Sequence, residues 1–275
     1  MTFKLKLSAM LCLAAGCLIT APQANAELLK SENFEYEVGP LNGNSNWIQA
    51  TAATVTETID MVAEPLTYPG YQNEAVGLSV HITPDGHETT QSFALKGADE
   101  GVNSGTVYAS FLFKLNAAPE KNSWLFSFAG GNKNGYVNNN TNLSQHGRLF
   151  VAPGSDDTKF KLLASKNSAV GTSVEIGEFN VGETYLAIIG YQFVDGRKND
   201  VSSFWINPAT DQTVAPAPMF TQKTEAADVS ETFGMQGCRI YQYFSGTMTP
   251  PDANIDAIRF ATDWASLFPA GDLTL

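Results

Sequence analysis

Short runs in which apolar and polar residues alternate recur along this chain, separated by clusters of Gly, Asn, Asp and Pro. A period of two is the signature of a half-buried strand, because successive side chains point to opposite faces of a sheet. The segment 28–38 opens the series, and 76–82, 89–96, 106–115, 123–128, 147–152, 159–165 and 172–179 continue it. The longest run is TYLAIIGYQFV (184–194), followed by 200–206, 239–244 and 255–260. The intervening stretches GPLNGN, TPDGH, AGGNKNG, APGSDD, VDGRKND and INPATD carry turn chemistry. About twelve strands at hairpin spacing without crossover helices predict antiparallel sheets packed face to face, with only minor short helices. The chain ends on NIDAIRFATDWASLFP: a strand expected to lie beside the first one, then a short amphipathic cap. There Thr262 or Asp263 starts a helical turn, and Trp264 with Leu267 or Phe268 covers a sheet edge.

The N-terminus departs from this pattern. Lys4 and Lys6 precede an apolar run, which ends in the small-x-small triplet Ala24-Asn25-Ala26. That order predicts a secretory signal peptide over 1–26, cleaved before Glu27, and a single domain over 27–275. The rival reading is a lipoprotein box around Cys17 that anchors the protein to a membrane. No later segment reaches the roughly 18 apolar residues of a transmembrane span. Beyond the signal, 14 cationic side chains face 28 acidic ones, a balance that repels nucleic acid and anionic membranes. Cys238 is then the one remaining cysteine, so stability must come from a core, and a small buried role suits it.

Several stretches in order resemble a known group: SENFEYEVGPLNG, LTYPGYQNEAVGL, VYASFLFKLNAAP, GRLFV, FKLLASK, VGETYLAIIGYQFVDGRKNDVSSFWINP and NIDAIRFATDWASL. Together they resemble the secreted bacterial jelly-roll domains of the concanavalin A-like lectin/glucanase superfamily, laminin-G-like in form. The resemblance implies an antiparallel β-sandwich with one concave sheet, on which relatives bind or cleave polysaccharides. Other members are adhesion or structural modules, so fold alone leaves function open.

Catalytic signatures of that superfamily are missing from the strands. Paired carboxylates at alternate positions would converge on one face, but 106–115 and 184–194 hold no acid, and Glu175 and Glu178 are three apart. The Arg-x-Glu-x-Arg, Gln-x-His and Tyr-x-Lys motifs of the lyases are also absent. His81, His87 and His146 show no metal-ligand spacing. The candidate for catalysis is a group of His146, Arg148 and Tyr136 beside the Asn-rich loop, with Arg148 pairing a uronate carboxylate. For sugar binding the candidates are Tyr136 and Asn140 in that loop and Tyr241 with Tyr243 on one strand face, packing within the sheet being the alternative. Trp47, Trp124, Trp205 and Trp264 sit among apolar neighbours and read as packing residues. Relatives often hold a structural calcium between first and last strands; Glu32, Asp256 and the Gly39 carbonyl are the candidate ligands here. A hydrogen-bonded or Arg-paired carboxylate is the alternative to calcium.

The leading expectation is a secreted, non-catalytic jelly-roll module with an extracellular polysaccharide or glycan as partner, serving binding, adhesion or structure. The alternative is a polysaccharide-degrading enzyme of the same superfamily, a lyase or glycoside hydrolase. A purely structural surface protein is the third reading.

Overall fold

The computed structural model describes residues 26–45, 47–49, 58–72, 74–86, 89–95, 101–131, 144–167, 172–223, 227–230, 232–242, 244 and 246–268. Residues 1–25 of the expected signal peptide lie outside them. In chain order the strands are β1 (Leu28–Glu32), β2 (Gly39–Pro40), β3 (Trp47–Gln49), β4 (Asp60–Val62), β5 (Ser79–Ile82), β6 (Thr89–Ala94), β7 (Thr106–Leu115) and β8 (Ser123–Gly130). They continue as β9 (Ser144–Pro153), β10 (Lys159–Ser165), β11 (Val174–Asn180), β12 (Thr184–Gln192), β13 (Val201–Ile206), β14 (Phe220–Gln222), β15 (Met235–Gln242) and β16 (Ala253–Ala261).

These form two sheets. The larger runs β14-β13-β12-β7-β16-β5-β4-β2 with β1 added to β16, and the smaller runs β11-β10-β9-β8-β15-β6-β3. The described strand pairs are antiparallel. This is the antiparallel β-sandwich that the alternation predicts, as the jelly-roll resemblance also implies. The short strands β2, β3, β4 and β14 escape a periodicity reading, since two or three residues show no period.

Between the sheets lies one core. Phe111 on β7 stacks on Phe126 on β8 with centroids 4.2 Å apart, and Phe128 meets Phe260 at 6.2 Å. Leu149, Val151, Cys238 and Ile240 come from the smaller sheet and Ile189, Tyr191, Ile255 and Ile258 from the larger. Cys238 is buried here, in the small apolar role expected of it. The larger sheet buries its other face too. Leu112, Leu186, Ile188, Trp205 and Ala261 form a second, outer cluster with Leu66, Tyr71, Trp264 and Leu267. That explains the consecutive apolar residues Leu186 to Ile189 in β12: both faces are covered, so polar alternation is not required.

The C-terminal segment is the cover. As expected, β16 pairs with β1, but it also lies between β7 and β5 near the middle of the sheet. The cap therefore covers a face and not an edge. Asp263 Oδ1 accepts the Ser266 N–H at 3.0 Å and starts the 3-10 turn Ala265–Leu267. Trp264 packs edge-on against Tyr108 at 5.9 Å and against Trp205 at 5.1 Å. Arg259 donates to the Leu267 carbonyl at 3.1 Å, closing the turn from below.

Trp264 is 3% exposed, so its truncation leaves a cavity in the outer cluster. Trp264→Ala should destabilise the protein by about 3 kcal/mol in urea unfolding; an unchanged midpoint would show that the cap contributes nothing.

Candidate functional site

Strand alternation separates the two faces of the smaller sheet. Leu149, Val151, Cys238 and Ile240 point into the core, so Arg148, Phe150, Arg239 and Tyr241 point outward. On β8 a bulge between Trp124 and Phe126 turns both Leu125 and Phe126 inward and leaves Trp124 and Ser127 outward. These six residues form one layer around Trp124. Its indole stacks on Tyr241 at 4.7 Å and 28°, and meets Phe150 at 4.5 Å. The Arg148 guanidinium lies 5.0 Å above the same ring, a cation–π contact that strengthens as water is removed.

The polar members are held in place. Arg148 Nη2 donates to Asn167 Oδ1 at 2.7 Å and Nε to the Gln145 carbonyl at 3.0 Å. The Tyr241 hydroxyl shares a 2.8 Å bond with Ser127 Oγ. Burial raises the Tyr241 phenol above its ordinary value, against the lowering pull of Arg239, the Ser127 bond and Arg148, so it stays protonated at neutral pH. Burial also lowers the Arg148 guanidinium from its usual range, with Tyr241 opposing. Ser127 and Phe150 are fully buried while Trp124 and Arg148 stay half-buried, so these two residues carry more of the layer's exposed surface. An aromatic face beside a cation can stack on a sugar ring and attract a carboxylate.

The structure divides the candidates read from sequence. Arg148 and Tyr241 come together across Trp124, which the sequence assigned to packing. Tyr136, Asn140 and Tyr243 lie outside the described residues. His146 is not beside Arg148. Two residues of β9, Gly147 and Arg148, oppose the single Ser127 of β8, and Gly147 takes φ +54°. A Cβ at Gly147 would lie 2.8 Å from Ile189, so only glycine fits this bulge. The bulge breaks the alternation and turns His146 into the sandwich, edge-on to Tyr191 at 5.6 Å. His146 Nε2 bonds Ser144 Oγ at 2.9 Å, and Ser144 Oγ donates to the Gly130 carbonyl at 2.9 Å. The imidazole therefore carries its proton on Nε2. Burial first, then the Arg148 and Lys166 charges, pull it down to about 3, so it is neutral. Arg239 and Phe150 were missed; the alternation of RIYQYF places Arg239 on the face of Tyr241 and was the available signal.

Next to His146 lies a buried polar cluster. Lys166, fully buried, pairs with Asp228, and Asp228 accepts the Asn199 N–H at 3.0 Å. Tyr191 donates to Asp200 at 2.7 Å and accepts the Val229 N–H at 3.0 Å. These bonds fasten residues 228–229 to β12 and to the end of β10. Each charge is met by a partner, as burial requires.

The calcium candidates are satisfied by protein donors. Glu32 accepts the Phe34 N–H at 2.8 Å, the Tyr36 hydroxyl at 2.7 Å and Trp47 Nε1 at 3.1 Å. Asp256 faces the outer cluster, where it accepts the Leu66 N–H at 2.7 Å, the Ala257 N–H at 2.6 Å and Gln72 Nε2 at 3.4 Å. Gly39 pairs with Met61 at the far edge of the sheet. N–H and O–H donors point at these oxygens, whereas calcium needs oxygen acceptors around it, so the set does not fit the ion. Among the described residues no group of three or more His, Cys, Asp or Glu can hold a metal.

No protein-family profile and no curated protein sequence matches the chain. Among solved structures it is similar to a conserved carbohydrate esterase from the Shiga toxin-encoding bacteriophage phi24B, with 9% identity, TM-score 0.44, and 87% of this chain against 100% of that one. It is also similar to alginate lyase A1-II′ of polysaccharide lyase family 7, with 13% identity, TM-score 0.44, and 71% of this chain against 84% of that one. An alginate lyase from Pseudomonas aeruginosa gives 10% identity, TM-score 0.43, and coverages of 71% and 86%.

Two buried groups titrate in opposite senses. Burial pushes Asp256 up to about 7, outweighing three hydrogen bonds that favour the carboxylate. The fold thus binds a proton at Asp256 that the unfolded chain releases above about 4, and stability falls as pH rises from about 4 to 7. His146 works the other way: the unfolded chain protonates below about 6.5 while the fold does not, so stability falls as pH drops from there to about 3. Each is worth up to about 4 kcal/mol across its window. Asp256→Asn should leave stability rising with pH between 4 and 6, and His146→Gln should leave it falling. Equal slopes in the two variants, read from urea midpoints, would refute this assignment.

Proposed function

We propose that this chain is an exported, non-catalytic module of the concanavalin A-like superfamily that binds an acidic, uronate-bearing polysaccharide on the outer face of its smaller sheet. One observation carries the reading: the guanidinium of the half-buried Arg148 sits over Trp124 in a layer completed by Ser127, Tyr241, Phe150 and Arg239. Trp124 offers a ring face for the apolar side of a sugar, and Arg148 offers a positive charge to attract a carboxylate. Two of the four arginines in the sequence lie on this face of an otherwise acidic protein, which supports an anionic ligand over a neutral one. Export rests on the signal-like sequence of residues 1–26.

A second reading is a lyase on the same face. It is favoured by the Tyr241 hydroxyl, which is protonated, held by Ser127 and flanked by the two guanidinium groups. Such a phenol can deliver a proton to a leaving oxygen while Arg148 neutralises the uronate.

The mature chain should be retarded in gels containing alginate or polygalacturonate and run freely in gels containing dextran. Arg148→Gln should weaken retention at least roughly tenfold, the loss expected for a charged group at a binding centre. Retention unchanged by Arg148→Gln, or no retention by any polyuronate, would refute the binding reading. Growth of ultraviolet absorbance from unsaturated uronates, lost in Tyr241→Phe, would replace it with the lyase.

A further inference from the structure

On the opposite side of the molecule, the outer cover of the larger sheet is incomplete. Between the cap and β14 a groove of about 270 Å³ runs across β7, β12 and β13. The register places Gly190 of β12 opposite Tyr108 of β7 on one side and Ser203 of β13 on the other. One pair further along, Gln192 lies between Thr106 and Val201. Alternation therefore brings Tyr108, Thr106, Gly190, Gln192, Ser203 and Trp205 to one outward face.

Gly190 interrupts a strand that runs Thr, Tyr, Leu, Ala, Ile, Ile before it and Tyr, Gln after it, where glycine is unfavourable unless something must approach closely. What approaches is the aromatic pair. A Cβ at this position would lie 3.1 Å from the Tyr108 ring and 3.2 Å from the Trp205 ring. Without it the two rings lean over the strand at 6.2 Å and 52° to one another. Both are backed by Trp264, and Trp205 Nε1 donates to the Pro216 carbonyl at 2.9 Å, so the indole edge is fixed. The remaining lining is mixed: the hydroxyls of Thr106 and Ser203 and an exposed Gln192 amide, with Val201, Ala215, Pro216 and Pro218 as an apolar wall. Among the described residues no charged side chain lines the groove, although the protein carries 28 acidic residues.

A rigid aromatic pair with an apolar wall, a hydroxyl-and-amide rim and no charge among its described lining residues has the chemistry of a site for an uncharged polyhydroxylated ring. The apolar C–H face of a sugar lies on the rings, and its hydroxyls meet an amide and two hydroxyl side chains. The volume lies near the lower end of small-molecule sites, about 300–1,000 Å³. We propose that this groove is a second carbohydrate site, specific for neutral pyranose units, on the face opposite Arg148. With both sites filled, the domain bridges an acidic and a neutral chain, or two regions of one heteropolysaccharide. The groove does not depend on the acidic-ligand reading, since it shares no residue with that layer.

The test is isothermal titration of the mature protein with cellohexaose, mannohexaose, xylohexaose and maltohexaose. At least one should bind, and saturating polygalacturonate should leave that binding in place. Tyr108→Ala should weaken it about tenfold or more, as truncation of a central aromatic anchor does. Tyr108 also packs on Trp264, so Gln192→Ala, exposed and outside the aromatic cluster, serves as the second variant. It should weaken binding roughly threefold to tenfold, the range for one lost neutral hydrogen bond. Binding by none of the four, full affinity in Gln192→Ala, or displacement by polygalacturonate would each overturn the proposal. Failure of polygalacturonate to bind at all would overturn the other site and leave this one standing.

Discussion

The carboxylate of Asp256 is the point from which the outer half of the structure is organised. It sits at a bulge where Ala257 and Ile258 together oppose Phe111, and Ala257 takes φ +49°. A left-handed alanine costs about 1 kcal/mol or more, and its N–H and carbonyl leave the ladder. Asp256 takes the N–H, and the Tyr71 hydroxyl donates to the carbonyl at 2.6 Å. Through Leu66 N–H and Gln72 the same carboxylate pins residues 66–72 across the sheet. Arg259 then stacks on Tyr71 at 4.2 Å and reaches the cap through Leu267. The bulge, the 66–72 loop and the cap are thus one construction. It buries one part of the larger sheet's outer face and leaves the Tyr108–Trp205 groove as the remainder.

A second bulge organises the smaller sheet. Gly147 lets His146 turn inward while Arg148 turns outward, so two residues adjacent in a would-be catalytic group serve separate purposes. The inward one joins a buried cluster with Tyr191 nearby, alongside the Lys166–Asp228 pair. That cluster resembles catalytic machinery in composition, yet each group is spent on fastening residues 228–229 to the sandwich. Removing one partner would leave a buried charge uncompensated, which is why such pairs persist even where an apolar substitute would be as stable.

The charge distribution follows the same division. An acidic surface repels polyanions at long range, and that repulsion is screened within about 8 Å at physiological salt. A half-buried guanidinium on an indole is screened much less, so the local attraction of Arg148 survives conditions that erase the global repulsion. Among the described residues the groove on the other sheet has no charged lining to screen.

Much of the architecture was legible in the chain. TVYASFLFKL and TYLAIIGYQFV declare their strands because packing acts on every second residue, and DGRKND declares the turn between β12 and β13. Asp263 with Trp264 declares a capped amphipathic turn, and Cys238 a buried thiol. What periodicity does not contain is the partner strand. Whether a residue faces in or out changes by one position at a bulge, and a bulge is a mismatch in count between two strands. Gly147 against Ser127, and Ala257 against Phe111, exist only once the strands are paired, so His146 and Asp256 were assigned to the wrong neighbours. The meeting of Trp124 with Tyr241, or of Tyr108 with Trp205, likewise joins residues about a hundred apart. Sequence by itself determined which residues must be strands and which surfaces must be covered, because those follow from local alternation. Only the tertiary structure decided which aromatics and arginines share a face, because that follows from register.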